Sequence, residues 1–180
     1  MIKQLLYNTN GFQTNVWGTP AWLFLHCITL NYNPSNKYHR NGYKQFFTSL
    51  QHVLPCGACR KNYSNIIKNK YKLTDVVLSS REKLSYWLFL VHNQVSQDIF
   101  MKTRLEEHKP LYKNNKSDFL KMIKFYSKLR AKCTKDSYGC TIPLNGSRKK
   151  SRIIIGPLMR LRKQNKKNSI TLLSTKNFYN

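Results

Sequence analysis

The stretch Leu54-Pro55-Cys56-Gly57-Ala58-Cys59-Arg60 decides how the rest of the chain is read. Two cysteines stand two residues apart. Pro55 precedes the first, and Arg60 and Lys61 follow the second. Proline suits the first position of a helix, where its missing N–H has no intrahelical partner to lose. That reading puts the dithiol at a helix N-terminus, where the macrodipole and the two cations favour a thiolate. The stretch alone leaves two chemistries open: a redox-active pair, or half of a zinc site.

Working outward, helical patterning flanks the stretch on both sides. Thr19-Pro20 reads as the start of a first helix, with Trp22, Leu25, His26 and Thr29 on one face and Cys27 in a buried stretch. The turn-rich Asn31-Tyr32-Asn33-Pro34 closes it. A second helix fits about 38–52, with Phe46, Phe47 and Leu50 as its apolar stripe. A third runs from Pro55 to about Asn69. Ser79 and Glu82 form a capping box opening the clearest helix, about 80–102, where Leu84, Trp87, Leu88, Val91 and Val95 recur at three-and-four spacing. Ser117-Asp118 caps a fifth, through about Lys132. No alternating strand is expected before residue 140; Ile153 to Ile155 is a short strand or a docked apolar tail. The fold class is therefore all-α: a bundle of about four or five helices in residues 1–140, with a basic extension over 141–180.

Length and charge bound the rest. A chain of 180 residues that is 41% hydrophobic and 13% aromatic builds one packed domain. No apolar run reaches the roughly 18 residues that span a membrane, and the first residues do not read as a signal peptide. The expected location is the cytoplasm. Five cysteines, an odd count, argue against a secreted disulfide scaffold. The net charge of +25 is uneven: residues 1–120 hold 16 basic and 6 acidic residues, and residues 121–180 hold 16 and 1. Such a surface suits nucleic acid or an acidic partner.

A zinc site needs a second close pair of ligands, and Cys133 and Cys140 are too far apart in sequence to be one; no metal is expected. A thioredoxin-like enzyme needs a strand before its CxxC, and none is patterned here. A helical bundle holding a flavin beside a dithiol fits better, because Trp22, His26 and His92 supply aromatic planes and hydrogen-bonding groups.

These residues form an ordered set: Trp17-Gly18-x3-Trp22-x2-Leu25-His26, then Leu54-Pro55-Cys56-x2-Cys59-Arg60 with Tyr63, then Trp87-x4-His92-Asn93-x-Val95. In order and spacing the set resembles the Erv/Alr FAD-linked sulfhydryl oxidases, most of all those of large DNA viruses. The resemblance covers about residues 15–113. It implies a four-helix bundle with a short fifth helix, a homodimer, and FAD as cofactor. It implies that Cys59 faces the flavin and Cys56 meets the incoming thiol, with electrons passing to O2 to give hydrogen peroxide. Trp17, Gly18, Trp22, His26, Tyr63, Trp87, His92, Asn93, Val95, Ser96 and Lys102 are the cofactor-binding positions it carries over. Ser96 stands where the family has Asn, and Ile99-Phe100-Met101 replaces its Leu-Gly pattern ahead of Lys102. Cys133 and Cys140 lie outside the resemblance; the Gly-containing polar loop between them suits a shuttle disulfide on a flexible arm, with a structural loop clip or two free thiols as the alternatives. The implied partners are protein thiols or a thioredoxin-like carrier, in the host cytoplasm and the virion for a viral member. The competing reading is a basic, nucleic-acid-associated or virion structural protein whose CxxC holds metal or stays reduced, with nonspecific contacts through the C-terminal lysines and arginines.

Overall fold

The computed structural model describes residues 11–104, 110, 113–132, 140 and 142–144. Ile153 to Ile155, Cys133 and most of the basic extension lie outside the described residues. Among those described there are five α-helices: α1 (Thr14–Leu30), α2 (Lys37–Val53), α3 (Gly57–Asn65), α4 (Arg81–Thr103) and α5 (Lys116–Ser127). The chain divides into two compact units, Met1–Leu120 and Lys121–Asn180.

The first unit is the helical body. Its core draws Leu25 from α1, Phe47 and Leu50 from α2, Tyr63 from α3, and Leu84, Leu88 and Val91 from α4. Helix α1 packs along α4, and α2 along α3. The all-α fold expected from the sequence is the fold observed. Phe119, in the first turn of α5, meets Tyr86 and Phe89 of α4 edge-on.

Several helix ends differ from expectation, each for a local reason. Helix α1 starts at Thr14, ahead of Thr19, because the N–H groups of Val16 and Trp17 both reach the Gln13 carbonyl. Pro20 therefore lies inside the helix, and the Val16 carbonyl forgoes its usual donor. Pro55 precedes α3 instead of opening it: Cys56 is the N-cap, in an extended conformation (φ −152°, ψ 119°), and Leu54 is held extended as the residue before proline. The α-helical part of α3 stops at Asn65. The chain then widens into a π-turn, Ile66–Lys70, closed by a hydrogen bond from Tyr71 N to Ile66 O.

Ser80, one residue beyond the expected cap, receives the Lys83 N–H at the start of α4, because Ser79 belongs to the 3₁₀ turn Val77–Ser79. Asn115 caps α5 by accepting the Asp118 N–H. Helix α5 ends at Ser127, and in the second unit the chain enters a two-residue strand, β1 (Ala131–Lys132), antiparallel to β2 (Ile142–Pro143). A pairing this short leaves no alternating pattern to read.

Cys27 is exposed, not buried. The buried side of α1 is carried by Leu25, His26 and Thr29, and Cys27 follows Phe24 onto the outer side.

Candidate active site

The dithiol is a disulfide. Cys56 and Cys59 are joined, with their Cα atoms 5.1 Å apart. Cys56 Sγ also accepts the Cys59 N–H at 3.2 Å, so the N-terminal sulfur serves as the cap of α3. The backbone of the turn is clamped from within: Arg60 Nη1 donates to Leu54 O at 2.6 Å. The same guanidinium passes 3.6 Å from the place a Cβ on Gly57 would occupy. One cation thus lies across the mouth of the turn, adding to the field of the helix N-terminus.

The segment before α1 binds this turn. Phe12 N donates to Pro55 O at 2.8 Å. Gly11 makes the approach feasible, because a Cβ there would stand 2.8 Å from the Pro55 carbonyl oxygen and 3.1 Å from Cys56 Cα. Trp17 Nε1 in turn donates to Phe12 O at 3.2 Å. Sequence reading missed Gly11 and Phe12; a glycine just ahead of a helix, facing a CxxC turn in space, leaves no motif.

Two turns along α1, the packing against α4 brings three rings together. Trp22 stacks on His92, centroids 4.0 Å apart and planes within 11°. His26 Nε2 and His92 Nδ1 share a hydrogen bond of 3.0 Å. His26 is 1% exposed. Burial holds its pKa well below the ordinary histidine value, and the neighbouring His92 pushes it the same way. Burial likewise lowers His92, to about 3. Both imidazoles are therefore neutral near pH 7, one donating to the other.

One residue on, Asn93 is buried, and its Nδ2 donates to Asn114 Oδ1 at 3.0 Å. Asn114 is a second contributor that the sequence did not reveal, since it sits 21 residues away in a loop.

The remaining positions named from sequence divide. Gly18 has open space where a side chain would grow. Val95 is half-buried against the core, Ser96 is half-buried, and Lys102 is exposed. Tyr63 and Trp87 are core residues in this structure. Tyr63 OH donates to Phe47 O at 2.8 Å, and burial raises its pKa. Trp87 Nε1 donates to Tyr71 O at 2.8 Å while its ring meets Phe47 edge-on. Cys140 is exposed and disulfide-bonded. Among the described residues no three His, Cys, Asp or Glu side chains gather as metal ligands.

The family described as Erv1 / Alr matches residues 19–141. Over 82 residues the chain is 48% identical to the probable FAD-linked sulfhydryl oxidase of Acanthamoeba polyphaga mimivirus, an overlap of 44% of this chain and 56% of that protein. Over 83 residues it is 28% identical to the mitochondrial FAD-linked sulfhydryl oxidase of Saccharomyces cerevisiae, covering 46% of this chain and 42% of that one. The chain spans about half the length of the curated relatives it matches. With the match running across the CxxC turn, the three rings and Asn93, the chain belongs to the Erv1/Alr family.

Proposed function

We propose that this chain is an FAD-dependent thiol oxidase that forms disulfide bonds in protein substrates. The observation that carries the reading is the Cys56–Cys59 disulfide at the N-terminus of α3, tied through Pro55 O to the segment that leads into Trp17 and Trp22. The residues present suit the cofactor. Trp22 and His92 offer flat aromatic faces, the neutral His26–His92 pair and the Asn93 amide offer hydrogen bonds without charge, and Gly18 leaves space beside them. When bound, FAD supplies the two-electron acceptor for the reduced dithiol and passes the electrons to O2, giving hydrogen peroxide.

The chain's own chemistry is thiol–disulfide exchange. A substrate thiolate attacks Cys56 Sγ; the Cys56–Cys59 bond breaks, and Cys59 leaves as a thiolate. The helix N-terminus and Arg60 stabilise that charge. The second substrate thiolate then attacks the mixed disulfide. Substrate leaves as a disulfide, and Cys56 and Cys59 are left reduced. Cys56 meets substrate and Cys59 faces the cofactor.

The further assignments follow the same reading. The outer side of α1 carries Val16 and Phe24, 55% and 57% exposed, with Pro20 between them and Cys27 beyond, an apolar stripe suited to a second copy of the chain. Cys140, exposed and already oxidised, suits a shuttle disulfide with Cys133. The family match ending at residue 141 supports an oxidase part over 1–140 and a basic extension over 141–180 that contacts acidic partners or nucleic acid. Among the described residues no helix is long and apolar enough to cross a membrane; the cytoplasm is the proposed location.

The test is spectroscopic. Purified protein is yellow, shows a flavin spectrum, and is bleached by dithiothreitol under nitrogen. Cys59→Ser keeps the flavin but loses oxygen consumption with dithiothreitol. A colourless protein, or a Cys59→Ser variant as active as the parent, overturns the reading.

A further inference from the structure

Beyond the dithiol, at the other end of α3, lies an open depression of about 330 Å³. Three lysines line it, Lys70, Lys72 and Lys83, together with Val77, Tyr86 and Trp87. The π-turn Ile66–Lys70 sets its position: by widening the helix it brings Lys70, Tyr71 and Lys72 beside α4, where Trp87 Nε1 fastens the Tyr71 carbonyl. π-Turns of this kind recur at functional sites.

The charges here are not neutralised from within. Lys70 Nζ donates to the Gln94 amide and Lys83 Nζ to the Ser79 hydroxyl, both neutral groups. Among the described residues none of the three lysines has an acidic partner within ion-pair distance; Asp75, next to the lining residue Val76, is paired with Lys44. Gln94, which accepts from Lys70, is itself held by Asp98 through its Nε2. Three cations gathered around an apolar, aromatic wall repel one another, and an anionic occupant relieves that repulsion.

Resting on the thiol-oxidase reading, we infer that this depression docks an acidic segment of the substrate protein, anchored by one large apolar side chain. The volume suits one such side chain, and the open shape suits an extended segment more than an enclosed small molecule. Position supplies the link to the chemistry. Cys56 and Lys70 bracket the helix and its π-turn, a rise of roughly 20 Å at about 1.5 Å per residue. An extended chain covers that in about six residues. A substrate with an acidic, apolar-anchored segment about six residues from its reactive cysteine therefore engages both ends of α3. The segment supplies binding; the exchange at Cys56 is unchanged.

The test compares dithiol peptides that differ in one segment six residues from the cysteine pair: acidic with a phenylalanine, neutral with a phenylalanine, and basic. Oxygen consumption is read with each peptide, and with dithiothreitol in parallel, on the flavin-loaded protein. The acidic peptide has a KM roughly 10-fold below the neutral one. Substituting Lys70→Gln, Lys72→Gln and Lys83→Gln together erases the difference and leaves kcat and dithiothreitol turnover unchanged. Val76→Asp, at a residue 67% exposed that also lines the depression, raises the acidic peptide's KM without burying a charge. Lys37→Gln with Arg40→Gln, on α2, leaves it unaltered.

Equal KM values for the acidic and neutral peptides overturn the inference, as does an equal effect of the α2 pair, which signals general attraction to a basic protein. If dithiothreitol is not oxidised at all, the oxidase reading falls on its own. Docking is then judged by fluorescence anisotropy of the labelled acidic peptide: a roughly 10-fold loss of affinity in the triple-lysine variant upholds it, and unchanged affinity overturns it. A labelled oligonucleotide that depends on the three lysines while the peptide does not also overturns it.

Discussion

Helix α4 has two working sides of opposite electrical character. Toward α1 it offers His92, stacked on Trp22 and hydrogen-bonded to His26, with both imidazoles held neutral by burial. Toward the π-turn it offers Lys83 beside Lys70 and Lys72, with Lys83 and Lys70 hydrogen-bonded to neutral groups. In a chain with a net charge of +25, keeping one seam uncharged is the more demanding arrangement. It requires titratable rings to be buried and to satisfy each other. The difference separates two tasks along one helix: the neutral seam suits a flat ring cofactor that must not be held by charge alone, and the basic end suits a partner that charge attracts.

Removing a ring from the neutral seam tests the comparison most severely. His92→Ala deletes the stack on Trp22 and the hydrogen bond to His26 Nε2. The combined cost is about 2–4 kcal/mol, from the aromatic contact and from a buried polar group losing its partner. A lower urea midpoint and loss of bound flavin are the expected results. Peptide affinity at the lysine end stays measurable in whatever folded protein remains. A variant that keeps both midpoint and flavin breaks the comparison.

Acid is the next lever, and it acts on one side only. Histidines whose folded pKa lies below the unfolded value bind more protons when unfolded, so stability rises with pH through that window. For His92 the window runs from about 6.5 down to about 3. The contribution is complete above it and is lost as pH falls through it. The melting temperature drops from pH 7 to pH 4, and flavin is released over the same range. No histidine lines the depression at the other end of α4, so that end does not follow. His92→Gln, which cannot titrate there, flattens part of the profile; an unchanged slope sinks the assignment.

The two sides were unequally legible in the sequence. The neutral seam was readable because its residues recur at helical spacing: Trp22 and His26 lie four apart on α1, and His92 falls on the strongest periodicity in the chain. The meeting of His26 with His92, 66 residues apart, depends on the packing of α1 on α4, which no local pattern encodes. Asn114 and Gly11 were illegible for the same reason. Tyr63 and Trp87 stand in the motif at positions indistinguishable from cofactor contacts, yet their polar tips close core hydrogen bonds to Phe47 O and Tyr71 O. The basic end was hidden differently. Lys70 and Lys72 lie just past the expected end of the third helix near Asn69, and the π-turn that brings them beside α4 has no sequence signature.

A milder substitution probes the basic end. Trp87→Phe keeps a ring against Phe47 but removes the donor to Tyr71 O, leaving a part-buried carbonyl without it. The expected loss is about 1–2 kcal/mol in chemical denaturation. Faster amide exchange is expected at Tyr71 and through the π-turn, ahead of any change near His92. Equal loosening at both ends indicates that α4 responds as one rigid piece and that its sides are not separable.

The smallest effect expected comes from the start of α4. Ser80 Oγ accepts the Lys83 N–H, and Lys83 Nζ reaches back to Ser79 Oγ, so the cap and the nearest lysine of the depression form one short network. Ser80→Ala removes the cap at a cost of about 1 kcal/mol. Because a helix frays from its ends, the loss falls on the first turn, which carries Lys83, and fades before His92, more than two turns further on. Amide exchange of residues 81–84 accelerates several-fold, as a loss near 1 kcal/mol implies, while that of residues 91–95 stays as in the parent. Affinity for the acidic peptide weakens slightly through the less fixed Lys83, and the flavin spectrum does not move. If the spectrum shifts along with the exchange at Lys83, the neutral and basic sides of α4 are coupled through the helix itself, and the division of tasks between them is wrong.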